Sequence, residues 1–376
     1  MKVTIREVNT RREMKRFVEF PNRLYKGNPY YVPQLVTGEM NTLSRTKNPA
    51  FEFCQIRYWM AFDERNRLVG RIAGIINPIY NEKTATKYMR FGWLDFIEDE
   101  DVLKALVQTV EQWAREQQAE CLHGPLGMTD FDVSGTLIEG FEEIPTVYGK
   151  YNFPYYGPMM EKLGFEKEVD WLEFNVKVPP VLPEKYVKMA EIIKQRHKLQ
   201  SIRFKTKKEL LSQLDQVFEL LNQEYDNIHG FSQLTKAQIE SLKKQFLPVL
   251  RLKYISVVKN EEGKIVGFGF CMPSLSKAMQ KGKGRLFPLG LVHIQRALMK
   301  NDTLDSLLIA IDSPYKDKGV NALIFFDIGN AAIKSGITNV ETTRELEENH
   351  KVQNLWHRFE FRQHKRARCY IKKLKP

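Results

Sequence analysis

Residues 312–323, reading Asp-Ser-Pro-Tyr-Lys-Asp-Lys-Gly-Val-Asn-Ala-Leu, place two lysines on either side of an acid and directly before a glycine. Ahead of them Leu307, Leu308, Ile309, Ala310 and Ile311 form an apolar run bounded by Asp312, Ser313 and Pro314, the pattern of a strand buried on both faces. After Gly319 the period changes. Val320, Leu323, Ile324, Ile328, Ala331 and Ala332 recur at helical spacing, and Gly336 supplies a C-cap. A helix that begins at such a turn presents unpartnered backbone N–H groups and the positive end of its dipole, so the chemistry predicted is the binding of a phosphate-sized anion. An ordinary strand, lysine-rich turn and helix would use the same residue types.

A second stretch, residues 124–158, combines the carboxylates Asp130, Asp132 and Glu139 with Tyr148, Tyr151, Tyr155, Tyr156 and several Gly and Pro residues. A loop of this length with so many aromatic residues is expected to be functional rather than disordered. Asp130 and Asp132 could receive a cationic amine while Tyr151, Tyr155 and Tyr156 line a cleft; the alternative is a loop that packs between domains. His123, His229, His293, His350 and His357 are isolated and not at ligand spacing, so no metal is expected. Cys54, Cys121, Cys271 and Cys369 include no Cys-x-x-Cys pair and read as buried free thiols.

These residues need a scaffold, and 376 residues that are 43% hydrophobic and 28% charged suffice for two cores. The clearest organising signal is a duplicated hairpin. Alternating residues 56–62, a turn at 63–66 and a return strand at 68–76 reappear as 254–258, 260–263 and 264–270. The elements that follow also correspond: strands at 91–97 and 307–311, helices at 102–118 and 320–334, strands at 121–125 and 339–343. A helix ending in a Phe-containing turn and a last strand at 169–176 or 366–372 complete each copy. Such an order implies an α/β or α+β layer in each half, a mixed central sheet flanked by helices. The domains expected are 1–178 and 189–376, joined by a Pro-rich linker at 179–188. Near the N-terminus, a first strand at 3–5 precedes a helix over 11–20 that Pro21 ends.

The net charge of +12 is unevenly shared, with 23 Lys+Arg and 26 Asp+Glu up to Val178 but 35 and 20 beyond it. A basic second half suits a polyanion, whether a CoA-type cofactor, tRNA or an anionic membrane surface. The N-terminus has no apolar h-region and no run approaches the roughly 20 apolar residues of a spanning helix, so the protein expected is cytoplasmic and not membrane-inserted.

Pro314-Tyr315-Lys316-Asp317-Lys318-Gly319-Val320-Asn321-Ala322-Leu323 resembles the acyl-CoA pyrophosphate loop of the GNAT superfamily of N-acyltransferases. It departs from that loop at Lys316, usually Arg or Gln, and at Asn321, usually Gly or Ala. The order of elements around the loop is similar to that superfamily in both halves. Gly124-Pro125, residues 135–141 and residues 151–156 further resemble a group of bacterial tandem GNAT proteins, which fixes no acceptor. The resemblance implies two tandem GNAT-like domains and an N-acyltransferase that uses acetyl-CoA or another acyl-CoA. In it, Ile309, Ala310 and Ile311 would hold the pantetheine, and Lys316, Asp317, Lys318, Gly319, Val320, Asn321 and Ala322 the pyrophosphate. Glu341 and Glu345 would be the candidate bases for a small-molecule or peptide amine. The usual tyrosine acid is replaced by Trp356, with Tyr315 and Tyr370 as possible substitutes. The first half carries Glu98-Asp99-Glu100-Asp101 where the loop would be, and is expected not to bind CoA. Two other readings stay open: a tRNA-dependent aminoacyltransferase of Fem type, and a non-catalytic binding protein.

Overall fold

The computed structural model describes residues 2–374. Its strands in chain order are β1 (Thr4–Glu7), β2 (Gln55–Phe62), β3 (Leu68–Ile76), β4 (Tyr88–Phe96), β5 (Cys121–Gly124), β6 (Thr136–Glu139) and β7 (Glu166–Lys177) in the first half. The second half contributes β8 (Gln200–Ile202), β9 (Ile255–Lys259), β10 (Ile265–Pro273), β11 (Thr303–Ile311), β12 (Asn339–Thr342), β13 (Glu345–Leu346) and β14 (Phe361–Lys373). All join one mixed sheet in the order β1-β2-β3-β4-β5-β14-β7-β12-β11-β10-β9-β8, with β6 beside β14 and β13 beside β7. The mixed α/β layers expected from the sequence are present.

The strand order reveals an exchange between the halves. β7, the last strand of the first half, pairs with β12 of the second, Lys177 opposite Asn339. β14, the last strand of the chain, enters the first half's sheet between β5 and β7, with Tyr370 opposite Gly124 and Ala367 opposite Trp171. The sequence boundary near residue 178 therefore divides the chain but not the sheet. A helix, Glu184–His197, begins inside the stretch read as linker, and Pro183 suits the position before its first turn because its fixed φ demands nothing of a missing N–H.

The duplicated hairpins, β2–β3 and β9–β10, each carry a helix on one face. Helix Glu100–Glu116 buries Val102, Leu103, Leu106, Val107 and Val110 against the first, and Val320–Lys334 buries Leu323, Ile324 and Ile328 against the second. Each buried aliphatic side chain contributes roughly 1.5–3 kcal/mol. Glycine sets the approach in both copies: a Cβ on Gly70 would lie 2.8 Å from Leu106, and one on Gly267 2.4 Å from Val320. On the other face of the second hairpin Phe268 and Phe270 pack with Phe218 and Leu221 of helix Leu214–Tyr225.

One helix is longer than the sequence suggests. Arg11–Leu24 runs through Pro21 rather than ending at it. Pro21 has no N–H to give the Phe17 carbonyl, and Arg71 takes that place, its Nη1 donating to Phe17 O at 2.9 Å while its Nε donates to Asp95 at 2.9 Å. A buried guanidinium thus satisfies the group that a mid-helix proline orphans.

Candidate active site

Strands β11 and β12 run parallel only from Thr303 opposite Asn339 to Ser306 opposite Thr342. Beyond Thr342 the chain turns away into β13, which pairs with β7, Glu345 opposite Leu172. Among the described residues, the edge of β11 from Leu307 to Ile311 has no strand partner on that side. Into this gap opens a cavity of about 870 Å³, lined by Ile309, Ala310 and Ile311, by Lys316, Asp317, Gly319, Asn321 and Ala322, and by Thr342 through Leu346. Of the residues expected at a cofactor, Lys318 and Val320 lie off this wall: Lys318 stacks over the Tyr315 ring at 4.3 Å, and Val320 is fully buried against Gly267.

The turn is held by named groups. Gly319 has φ +78°, a left-handed conformation that a side chain resists, and a Cβ there would lie 2.6 Å from Ile193 of helix Glu184–His197. Ser313 donates its backbone N–H and its hydroxyl to Glu224 Oε1, each at 3.0 Å, and Lys316 Nζ lies 2.7 Å from Glu224 Oε2. A carboxylate thus occupies the cationic loop. Ala322 N donates to Asn321 Oδ1 at 2.9 Å, so the Asn side chain caps a helix-start amide. Tyr225, at the end of helix Leu214–Tyr225, donates from its hydroxyl to Ile309 O at 3.1 Å.

The two candidate bases sit in different surroundings. Glu345 lines the cavity; its Oε1 accepts from Trp356 Nε1 at 2.9 Å, and its buried Oε2 has no hydrogen-bond partner among the described residues. Burial pushes its carboxyl up to about 8 against the pull of the Trp356 bond. Glu341 lies outside the cavity lining, accepting from Asn175 Nδ2 at 2.7 Å with His364 Nε2 at 2.8 Å. Burial raises its carboxyl, but the His364 bond and the charges of Lys365 and His364 outweigh burial and hold it below the usual range. Trp356 is buried on the cavity wall and anchors Glu345. Tyr315 accepts from Asn260 Nδ2 at 3.1 Å, and Tyr370 is buried in the first half's core, so neither lines the cavity.

Of the acceptor-side residues, Asp130 lines the cavity, and burial raises its carboxyl although Arg344 pulls the other way. Asp132 turns back on its own loop, Oδ2 accepting from Thr129 N at 3.0 Å, and burial takes it to about 6. Tyr151, Tyr155 and Tyr156 are elsewhere. Asn28 Nδ2 donates to Tyr151 Oη at 2.8 Å, Tyr155 donates to Phe96 O at 2.6 Å, and Tyr156 Oη lies 2.8 Å from that of Tyr25 and accepts from Phe96 N. They pack the first half, where β4 and β5 also part, after Arg90 opposite His123. There Leu126 N donates to Phe91 O and aromatic rings fill the interior. Asp99 accepts from Asp101 N and Val102 N at that half's helix start, covering with a carboxylate the amides an anion would need.

The rest of the cavity comes from segments that carry no motif. Leu214, Phe218, Leu242, Phe246 and Leu250 form its apolar wall with Tyr148, Trp171 and Phe270. The helical spacing of Leu214, Val217, Phe218 and Leu221 marks a buried face in the sequence but not what it faces.

No protein-family model matches the chain. The fold is that of the GNAT acyltransferases in tandem form. A tandem GNAT protein from the clavulanic acid biosynthesis pathway, solved without AcCoA, superposes with a TM-score of 0.59 at 10% identity, covering 100% of this chain and 99% of that one. A probable N-acyltransferase from Enterococcus faecalis V583 gives 0.51 at 10% identity over 100% and 73%. Among curated proteins, protein YghO of Escherichia coli K12 is 24% identical over 379 residues, 98% of this chain and 95% of that protein. A bacterial ceramide synthase of Caulobacter vibrioides is 27% identical over 291 residues, 75% and 73% of the two chains. Among the described residues no helix is long and apolar enough to cross a membrane.

Proposed function

We propose that the protein is an acyl-CoA-dependent N-acyltransferase whose acceptor is an amine on a long apolar chain. The observation that carries this reading is a continuous cavity reaching from the loop at 316–322 to Glu345 with an apolar wall behind it. At about 870 Å³ it is near the upper end of ordinary small-ligand sites. The turn at Lys316 and Gly319 and the start of helix Val320–Lys334 would hold the pyrophosphate of CoA, and the open edge of β11 its pantetheine. The thioester would then lie within the gap between β11 and β12. A neutral amine attacks the thioester carbonyl, the N–C bond forms and the C–S bond breaks. Glu345 takes the amine's proton, and that proton passes to the departing thiolate. A carboxyl raised to about 8 suits this exchange at neutral pH. Similarity to a ceramide synthase is in keeping with such an acceptor, since a ceramide is the amide of a long-chain amine.

The test is free-thiol release from acyl-CoA, with the amide identified by mass spectrometry, over amines of increasing chain length. Turnover that rises with chain length and is lost in Glu345→Gln is expected. Turnover confined to short polar amines would overturn the acceptor class, and none with any amine would overturn the activity.

A further inference from the structure

A cluster outside the cavity gathers side chains from three strands and a loop. His123 is on β5, Glu168 on β7 and Cys369 on the exchanged strand β14, while His229 lies between helices Leu214–Tyr225 and Lys236–Phe246. His123 Nδ1 is 3.3 Å from Glu168 Oε1, His229 Nε2 is 3.5 Å from Glu168 Oε2, and Cys369 Sγ is 3.1 Å from Glu168 Oε2. One ligating atom from each of His123, Glu168 and His229 lies within 4.8 Å of the others. With metal–ligand bonds of about 2.0–2.2 Å, three ligating atoms gathered this closely can be reached by one ion after small side-chain adjustments.

Charge points the same way. Glu168 is 13% exposed and His123 is fully buried, and among the described residues no lysine or arginine pairs with Glu168. Arg90, the buried guanidinium nearby, directs its Nη1 to Gly127 O and its Nη2 to Gly230 O instead. The carboxylate's partners are the two imidazoles and the Cys369 sulfhydryl, and buried charges are ordinarily paired or metal-bound.

We propose that His123, Glu168 and His229 bind one divalent transition-metal ion of the zinc class. Two imidazoles and a carboxylate match the borderline softness of that ion. The ion would fasten the loop of the second half to the first half's sheet, at a point where His229 adjoins Ile228 and Trp171 of the cavity wall. The inference is independent of the acyltransferase reading.

The experiment is elemental analysis of the untagged full-length protein, followed by chelation and titration with Zn(II) and with Co(II). One equivalent is expected, with a Tm raised by a few degrees. The cobalt form should show the intense d–d bands of low-coordinate Co(II) held by nitrogen and oxygen ligands. Glu168→Gln and His229→Gln should lose the equivalent, whereas His357→Gln, at an exposed histidine elsewhere, should keep it. The cobalt titration of the wild type decides even if a variant fails to fold. Absence of both the bands and the Tm shift, or binding unchanged in both ligand variants, overturns the proposal and leaves a hydrogen-bonded His–Glu–His group.

Discussion

Trp356 Nε1 donates to Glu345 Oε1 across 2.9 Å, and both residues stand on the cavity wall. The indole cannot act as an acid, but its N–H holds one oxygen of the carboxylate and leaves the other without a partner among the described residues. Trp356→Phe keeps the ring against Phe325 and removes the donor. The Glu345 carboxyl should then rise above about 8 by about one further unit. The acidic limb of kcat/KM against pH should move up by as much, with activity at pH 7 falling roughly tenfold. A limb that stays at its wild-type position would exclude Glu345 as the base.

The same carboxyl links stability to pH. Its value rises from 4.5 in the open chain to about 8 in the folded one, so the native state binds more protons than the unfolded state between those values. Stability contributed by the buried, protonated form is complete below about pH 4.5 and lost as pH rises through about 8. Glu345→Gln cannot ionise, so its stability relative to wild type should grow over that range, on the order of 3–5 kcal/mol by pH 9. Urea unfolding at pH 5, 7 and 9 measures the difference; a constant offset across the three would refute the shift.

Glu224 lies where an anionic ligand would be received, taking two bonds from Ser313 and the charge of Lys316. Removing its charge should free that lysine and lessen repulsion of a pyrophosphate. Glu224→Gln is expected to tighten acyl-CoA binding by roughly three- to tenfold in calorimetric titration, a change of about 1 kcal/mol. Lys316→Ala should weaken it. Looser binding in Glu224→Gln would mean that the carboxylate shapes the loop rather than competes for it.

Much of the architecture was legible because periodicity reports burial. The paired hairpins, the helix starting at Val320 and the acidic helix start at Asp99 are local patterns, and each is found where the pattern predicts. The cavity was legible only in part. Gly319 and Lys316 belong to a local motif, but Tyr225, Phe246 and Trp171 reach the cavity from three distant elements. Asp130 and Tyr155 belong to one loop in sequence, yet one lines the cavity and the other bonds to Phe96 O. A loop's composition does not say which side of a sheet each residue will face. His123 and His229 are likewise brought together through strand pairing and a loop that no spacing rule anticipates.

The apolar wall predicts selectivity. Leu242 of helix Lys236–Phe246 lines the cavity far from the loop in sequence, and replacing it by tryptophan adds bulk without charge. Leu242→Trp should shift the preferred amine to a shorter chain, lowering kcat/KM for the longest acceptors about tenfold or more while thiol release with short ones is retained. Loss of a methylene's worth of contact is worth about 1–3 kcal/mol in such pockets. An unchanged chain-length profile would place the acceptor outside this wall.

The strand exchange makes a claim about folding. A chain ending at residue 178 would leave β5 without the four residues of β14 that pair with it, and β7 without both the ten that pair with it and β12. Exposed edges of this kind promote association. Residues 1–178 and 179–376 expressed separately should aggregate or unfold without cooperativity, whereas the two co-expressed as separate chains should copurify and unfold in one transition. A monomeric, cooperatively folded 1–178 fragment would contradict this, because β7 would then have found a stable seat beside β5 without the second half.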